Sequence, residues 1–258
     1  MKQFDANLVC IERKIIKIAR DMMRLRGKPD LRVVDIGCYK RPVSGFVLKE
    51  FPQSSFLGVD PDQDAIDWLI QRGIDGCSFT DFQSRGVFDF SFALEVLEHI
   101  SANQSQNWLH SVVSQTSGAA FFTTPNFSGF TQDRRDEVRR HEDLNELRYL
   151  PDHLKTFRPA SSNPHDHRQA FTGRRLADDL GAVLPHDWEF SVFEAWPWKI
   201  EDISDGRTFV HAFKLFAVAW NTSNFPADVY ERTIGPCLEK KAKVVGLNST
   251  DLSSVLFV

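Results

Sequence analysis

Apolar residues recur at helical spacing in the opening segment and then switch to short runs at strand spacing. Leu8, Ile11, Ile15, Ile18 and Met22 fall three or four residues apart, while Arg13, Lys14, Lys17, Arg20 and Asp21 lie mostly off that stripe. The pattern predicts an amphipathic helix that Gly27 and Pro29 stop. Its basic face reads as the solvated side of a packed helix rather than a membrane surface. Strands are predicted over 31–36 (LRVVDI), 55–60 (SFLGVD), 77–80, 88–94 (FDFSFAL) and 119–124 (AAFFTT). Helices are predicted between them, over 43–50, 63–72 and 103–115. Strands alternating with helices imply crossover connections and a mainly parallel sheet.

The alternation breaks at Asn126. Residues 126–168 hold eight Lys or Arg, eight Asp or Glu, and four of the eight histidines: His141, His153, His165 and His167. So long a polar connection is expected to be a lid or binding loop, with a helix inside it over 134–150. Thr172 then reads as the cap of a helix carrying Leu176, Leu180 and Val183. Trp188 to Trp196 and Thr208 to Trp220 read as strands that pair antiparallel around an Asp205-Gly206 turn. The tail from Asn221 carries little pattern.

Composition narrows the reading in three ways. The length of 258 residues fits one domain. The four cysteines stand far apart, so no zinc knuckle or redox pair is visible and a reducing, cytoplasmic setting is expected. The net charge of −4 lacks the basic excess of a dedicated nucleic-acid binder. No apolar run approaches the roughly 20 residues that cross a bilayer. Oligomeric state is left open.

The chemistry gathers at strand ends. The first strand ends in Asp35-Ile36-Gly37, where glycine lets backbone pass close to a ligand. The second ends at Asp60, whose carboxylate can accept from both hydroxyls of a ribose. Ligands of open α/β sheets bind beyond such carboxyl ends. That geometry alone serves dinucleotides equally well.

The fourth strand adds more. It runs through Leu94 into Glu95-Val96-Leu97-Glu98-His99, which resembles the fourth-strand ending of class I S-adenosylmethionine-dependent methyltransferases of the broad type 11 kind. VVDIGC resembles the first motif of that family, FLGVDPD its ribose motif, Thr80-Asp81-Phe82 its adenine segment and FFTTPN its fifth-strand ending. The resemblance implies a Rossmann-like, doubly wound, mainly parallel seven-stranded α/β sheet with an antiparallel last strand. It divides one methyltransferase domain into an N-terminal helix (1–27), a cofactor half (30–125), an insertion or lid (126–171), a helix with the final strand pair (172–220) and a tail (221–258).

The resemblance also implies roles. Asp35 and Gly37, with Cys38, would face the methionine end of S-adenosylmethionine. Asp60, with Pro61, would take the ribose, Asp81 and Phe82 would flank the adenine, and Leu94 and Glu95 would close over the sulfonium. One departure stands out: where the family usually reads Gly-x-Gly-x-Gly, this chain reads Gly37-Cys38-Tyr39-Lys40-Arg41-Pro42. Tyr39 would either crowd the methionine end or turn outward to wall the acceptor pocket. His99 and His167 are the candidate bases for an acceptor proton, since an imidazole titrates near neutral pH.

The expected activity is O- or N-methylation of a small metabolite or glycan-type acceptor, with no metal. Two other readings remain. Glu95, Glu98, His99 and His167 resemble the metal set of RNA 3′-end 2′-O-methyltransferases. Tyr39 and Arg41 would also suit a degenerate, non-catalytic binding protein of this fold.

Overall fold

A computed structural model of the chain describes residues 2–40, 42–125, 169, 171, 173–201, 208–238 and 242–247. Helix α1 (Lys2–Arg26) opens it, and Ile15, Ile18, Ala19, Met22 and Met23 are its buried stripe. There follow β1 (Arg32–Ile36), α2 (Ser44–Glu50), β2 (Ser55–Val59), α3 (Gln63–Ile70) and β3 (Asp75–Cys77). Then come α4 (Phe79–Phe82), β4 (Phe88–Leu94), a 3-10 turn (Leu97–His99), α5 (Ser105–Ser114) and β5 (Thr116–Pro125). After the insertion come α6 (Gly173–Val183), β6 (Trp188–Glu201), β7 (Thr208–Asn221), α7 (Gly235–Leu238) and β8 (Ala242–Leu247).

The strands form one sheet in the order β3-β2-β1-β4-β5-β7-β6-β8. Neighbours from β3 to β5 run parallel, and β7 runs antiparallel to both β5 and β6. The first seven strands are thus the expected Rossmann-like sheet. An eighth, β8, pairs antiparallel with β6 in the stretch that sequence pattern left unread.

Alternation along the strands feeds two cores. Val33, Phe90, Phe92 and Phe121 pack beneath α1 and α2, while Val34, Ala93 and Phe122 pack on the other face beneath α5 and α6. Phe92 and Phe121 stack at 4.9 Å across neighbouring strands. Each buried aromatic of this kind contributes roughly 1.5–3 kcal/mol.

The third strand lies earlier than the pattern of Cys77 to Thr80 predicts. Ser78 caps a helical turn, its hydroxyl accepting from Asp81 N–H at 3.2 Å, so Phe79 and Thr80 turn helical and the strand falls on Asp75–Cys77. The expected helix over 134–150, most of the lid, Arg41, His167 and the Thr172 cap lie outside the described residues. No helix among the described residues is long and apolar enough to cross a membrane.

Candidate active site

Strand order reverses beside β1: the chain moves outward to β2 and β3, then returns across to β4. A crevice forms at such a switch point, at the carboxyl ends of the strands. Asp35, Gly37, Asp60 and Glu95 all stand at that end.

The loop after β1 is held from three sides. Gly37 N–H donates to Val59 O at 2.7 Å. Its φ is +70°, and a Cβ there would stand 2.4 Å from Val96 Cγ2. Only glycine meets both demands, and the close approach brings the loop after β1 against the segment after β4. Asp35 is 3% exposed and its Oδ2 accepts from Val43 N–H at 2.8 Å, so it ties the far end of the loop to the start of α2. Asp60 Oδ2 accepts from Tyr39 N–H at 2.7 Å, and its Oδ1 accepts from Asp62 N–H at 3.0 Å. An ionised carboxylate offers about four lone-pair sites, so Asp60 keeps acceptor capacity for two hydroxyls.

Tyr39 occupies the position where glycine is usual and adopts the conformation glycine would, with φ +43°. Its ring turns outward and is 42% exposed, with Lys40 Nζ 5.4 Å from the ring centre. Side chains in this left-handed region carry a cost of roughly 1–2 kcal/mol, which the Asp60 bond helps hold. Cys38 points the other way and is buried. Burial, with the negative fields of Asp35 and Asp60, pushes its thiol pKa up, so it stays neutral and inert.

Beside Asp60, Pro61 is exposed and Asp62 caps α3. Asp81 is exposed on α4, its Oδ2 accepting from the Ser78 hydroxyl at 2.8 Å. The ring of Phe82 is fully buried against Phe79 and Phe88, so it belongs to the core and stays out of the crevice.

On the other side of the switch point, Leu94 is half-buried and Glu95 has φ +60°. Glu95 N–H donates to Thr123 O at 3.0 Å. Its carboxylate forms an ion pair with Lys214 of β7, which lies beside Pro125 of β5. Burial lowers the pKa of the Lys214 ammonium to about 8, and the Glu95 carboxylate favours the protonated form. Sequence reasoning missed Lys214; the available signal was a single cation inside the apolar run TFVHAFKLFAVAW.

Glu98 is 1% exposed, and burial raises its pKa to about 7. The Thr124 hydroxyl alongside offsets part of that rise without closing a hydrogen bond. Gln169, also missed, clips the chain returning from the insertion onto this turn: its N–H donates to Glu98 O at 3.2 Å and its Nε2 to Leu97 O at 2.8 Å. Arg175 of α6 donates to Gln169 Oε1 at 2.6 Å. His99 is half-buried on the same turn. Among the described residues, no three His, Cys, Asp or Glu side chains converge to hold a metal ion. The carboxyl of Glu98 is enclosed and that of Glu95 is engaged by Lys214, while His167, the fourth member of the metal set considered from sequence, lies outside the described residues.

A family model described as a methyltransferase domain matches residues 11–183. No curated protein sequence matches the chain. Similar solved structures include magnesium protoporphyrin IX methyltransferase from Synechocystis PCC 6803 with bound SAH, 14% identical over 79% of this chain and 81% of that one, at a TM-score of 0.46. A SAM-dependent methyltransferase from Archaeoglobus fulgidus is 15% identical over 83% and 99%, at 0.49. The plantazolicin methyltransferase BpumL in complex with SAH is 11% identical over 85% and 90%, at 0.49.

Proposed function

This chain belongs to the methyltransferase-domain family and is an S-adenosylmethionine-dependent methyltransferase, and from that premise we propose that it methylates oxygen or nitrogen on a small metabolite or glycan-type acceptor. The observation that carries the reading is the polar set at the switch point, with a buried Asp60 on one side and the Glu95–Lys214 pair on the other. S-adenosylmethionine supplies a methyl group on a positive sulfonium, ready for in-line transfer to a lone pair.

The chain's own residues supply binding and alignment. Asp60 receives the ribose hydroxyls. The Gly37–Tyr39 backbone passes under the methionine end, and the exposed Asp81 stands on the adenine side. Asp35 acts through Val43 to hold that loop. Leu94 and Glu95 border the methyl group. His99, with His167 from the insertion, takes the acceptor's proton as the new bond forms. The polar but acidic composition, net charge −4, favours a small acceptor over RNA. The free thiols Cys38, Cys77 and Cys237 fit a cytoplasmic setting.

The test is S-adenosylhomocysteine release from S-adenosylmethionine over panels of hydroxyl- and amine-bearing metabolites, oligosaccharides and short RNAs. Turnover on the first two panels supports the proposal. Turnover confined to RNA overturns it.

A further inference from the structure

Lys214 is placed where a lysine is costly. It sits between Phe213 and Leu215 on β7, its side chain 13% exposed, and reaches over the end of β5 to the carboxylate of Glu95. Neighbouring strands are about 4.8 Å apart, so the pair bridges two strand steps that a shorter side chain would leave open. Glu95 is held at φ +60°, with both Thr123 O and Thr123 Oγ1 accepting from its N–H at 3.0 Å. Backbone strain of this kind persists where the surroundings over-determine it and concentrates at functional sites. Glu95's side chain remains 33% exposed.

We infer that Lys214 is a positioning and charge-compensating residue that sets the enzyme's preference between the positive S-adenosylmethionine and the neutral S-adenosylhomocysteine by neutralising Glu95. This rests on the cofactor placement proposed above, with the sulfonium on the Glu95 side of the switch point.

The chemistry gives the reason. A bare carboxylate beside the sulfonium would hold the reactant cation more strongly than the transition state, in which that charge is spreading toward the acceptor. Such ground-state stabilisation slows the transfer. Ion-paired with Glu95, the lysine cancels the excess field. Among the described residues, the ion pair formed by Lys214 is with Glu95.

The experiment measures affinities of the full chain for S-adenosylmethionine and S-adenosylhomocysteine by calorimetry, so no acceptor is needed. Lys214→Met is expected to shift the preference toward S-adenosylmethionine by about tenfold, as an uncompensated charge a few ångströms away in a part-exposed crevice would do. Glu95→Gln is expected to shift it the opposite way. The double variant should return to within about twofold of wild type, and Lys214→Arg should keep the wild-type ratio. Should Lys214→Met fail to fold, Glu95→Gln and Lys214→Arg carry the same test. An unchanged ratio in Glu95→Gln, or a shift toward the neutral ligand in Lys214→Met, overturns the inference while leaving the cofactor site standing. Wild-type protein that binds neither ligand overturns the cofactor placement and the inference with it.

Discussion

Replacing Glu98 by Gln should stabilise the protein at alkaline pH and change it little in acid. The carboxyl lies in the turn after β4, 1% exposed, with Oε2 lacking a hydrogen-bond partner among the described residues. Burial moves its pKa from 4.5 to about 7. A native pKa above the unfolded one means that the folded chain holds the proton more tightly. Its contribution is therefore fully present below 4.5 and lost as pH rises through 7. A displacement of that size carries about 3 kcal/mol between the two protonation states. That is a large share of a typical stability of about 5–15 kcal/mol. Glutamine keeps the shape, carries no charge, and can offer an N–H to the buried, unpartnered Thr124 Oγ1. Urea unfolding of both proteins, followed by tryptophan fluorescence from about pH 4.5 to about pH 8.5, reads the effect. The stability gap should widen by about 3 kcal/mol across that window. Parallel pH profiles would refute the reasoning, because they would mean that Glu98 titrates no differently in the fold than in the unfolded chain.

Gly37→Ala should cost about 1–3 kcal/mol in urea unfolding and weaken S-adenosylmethionine binding, because φ +70° and the 2.4 Å approach of Val96 both oppose a methyl group. At Tyr39, whose φ is +43°, the Gly variant should be more stable than the Ala variant by about 1 kcal/mol, and equal midpoints would remove the strain argument. His167→Ala should lower turnover about 100-fold or more while leaving S-adenosylmethionine affinity within about twofold, and wild-type turnover would remove His167 from the site.

Much of the fold was legible because alternation is unambiguous wherever both faces of a strand are buried by different helices. Val33 and Val34 point into opposite cores, as do Phe121 and Phe122, and the run FDFSFAL is β4 to the residue. The third strand was displaced because Asp75-Gly76-Cys77 has little strand propensity, and the cap by Ser78 is a local competition that periodicity does not register. The β8 segment has few neighbours in sequence to define it; it exists as a strand by pairing with the free edge of β6.

The site divides along the same line. The strand-end positions of Asp35, Gly37 and Asp60 were legible because each belongs to a strand end or its loop, where neighbouring residues fix the geometry. The resemblance places Phe82 beside the adenine, yet the core claims its ring. The roles of Lys214 and Gln169 were not legible because their partners, Glu95 and the Leu97–Glu98 turn, are remote in sequence and meet them only through tertiary folding, although the cation in an apolar run marked Lys214 as unusual.

The central claim is that Asp60 marks the ribose site of an S-adenosylmethionine crevice, and calorimetric titration of wild type and Asp60→Ala with S-adenosylmethionine tests it most directly. The carboxylate's two charge-assisted bonds to ribose, each contributing about 1.5–3 kcal/mol, predict micromolar binding to the wild type and a loss of at least about tenfold in the variant. The same variant should leave the sheet intact, since Asp60 follows β2 and its side-chain bonds, to Tyr39 and Asp62, belong to loops. Absence of binding to folded wild-type protein would contradict the account as a whole, and equal affinity in the two proteins would contradict the ribose site at Asp60.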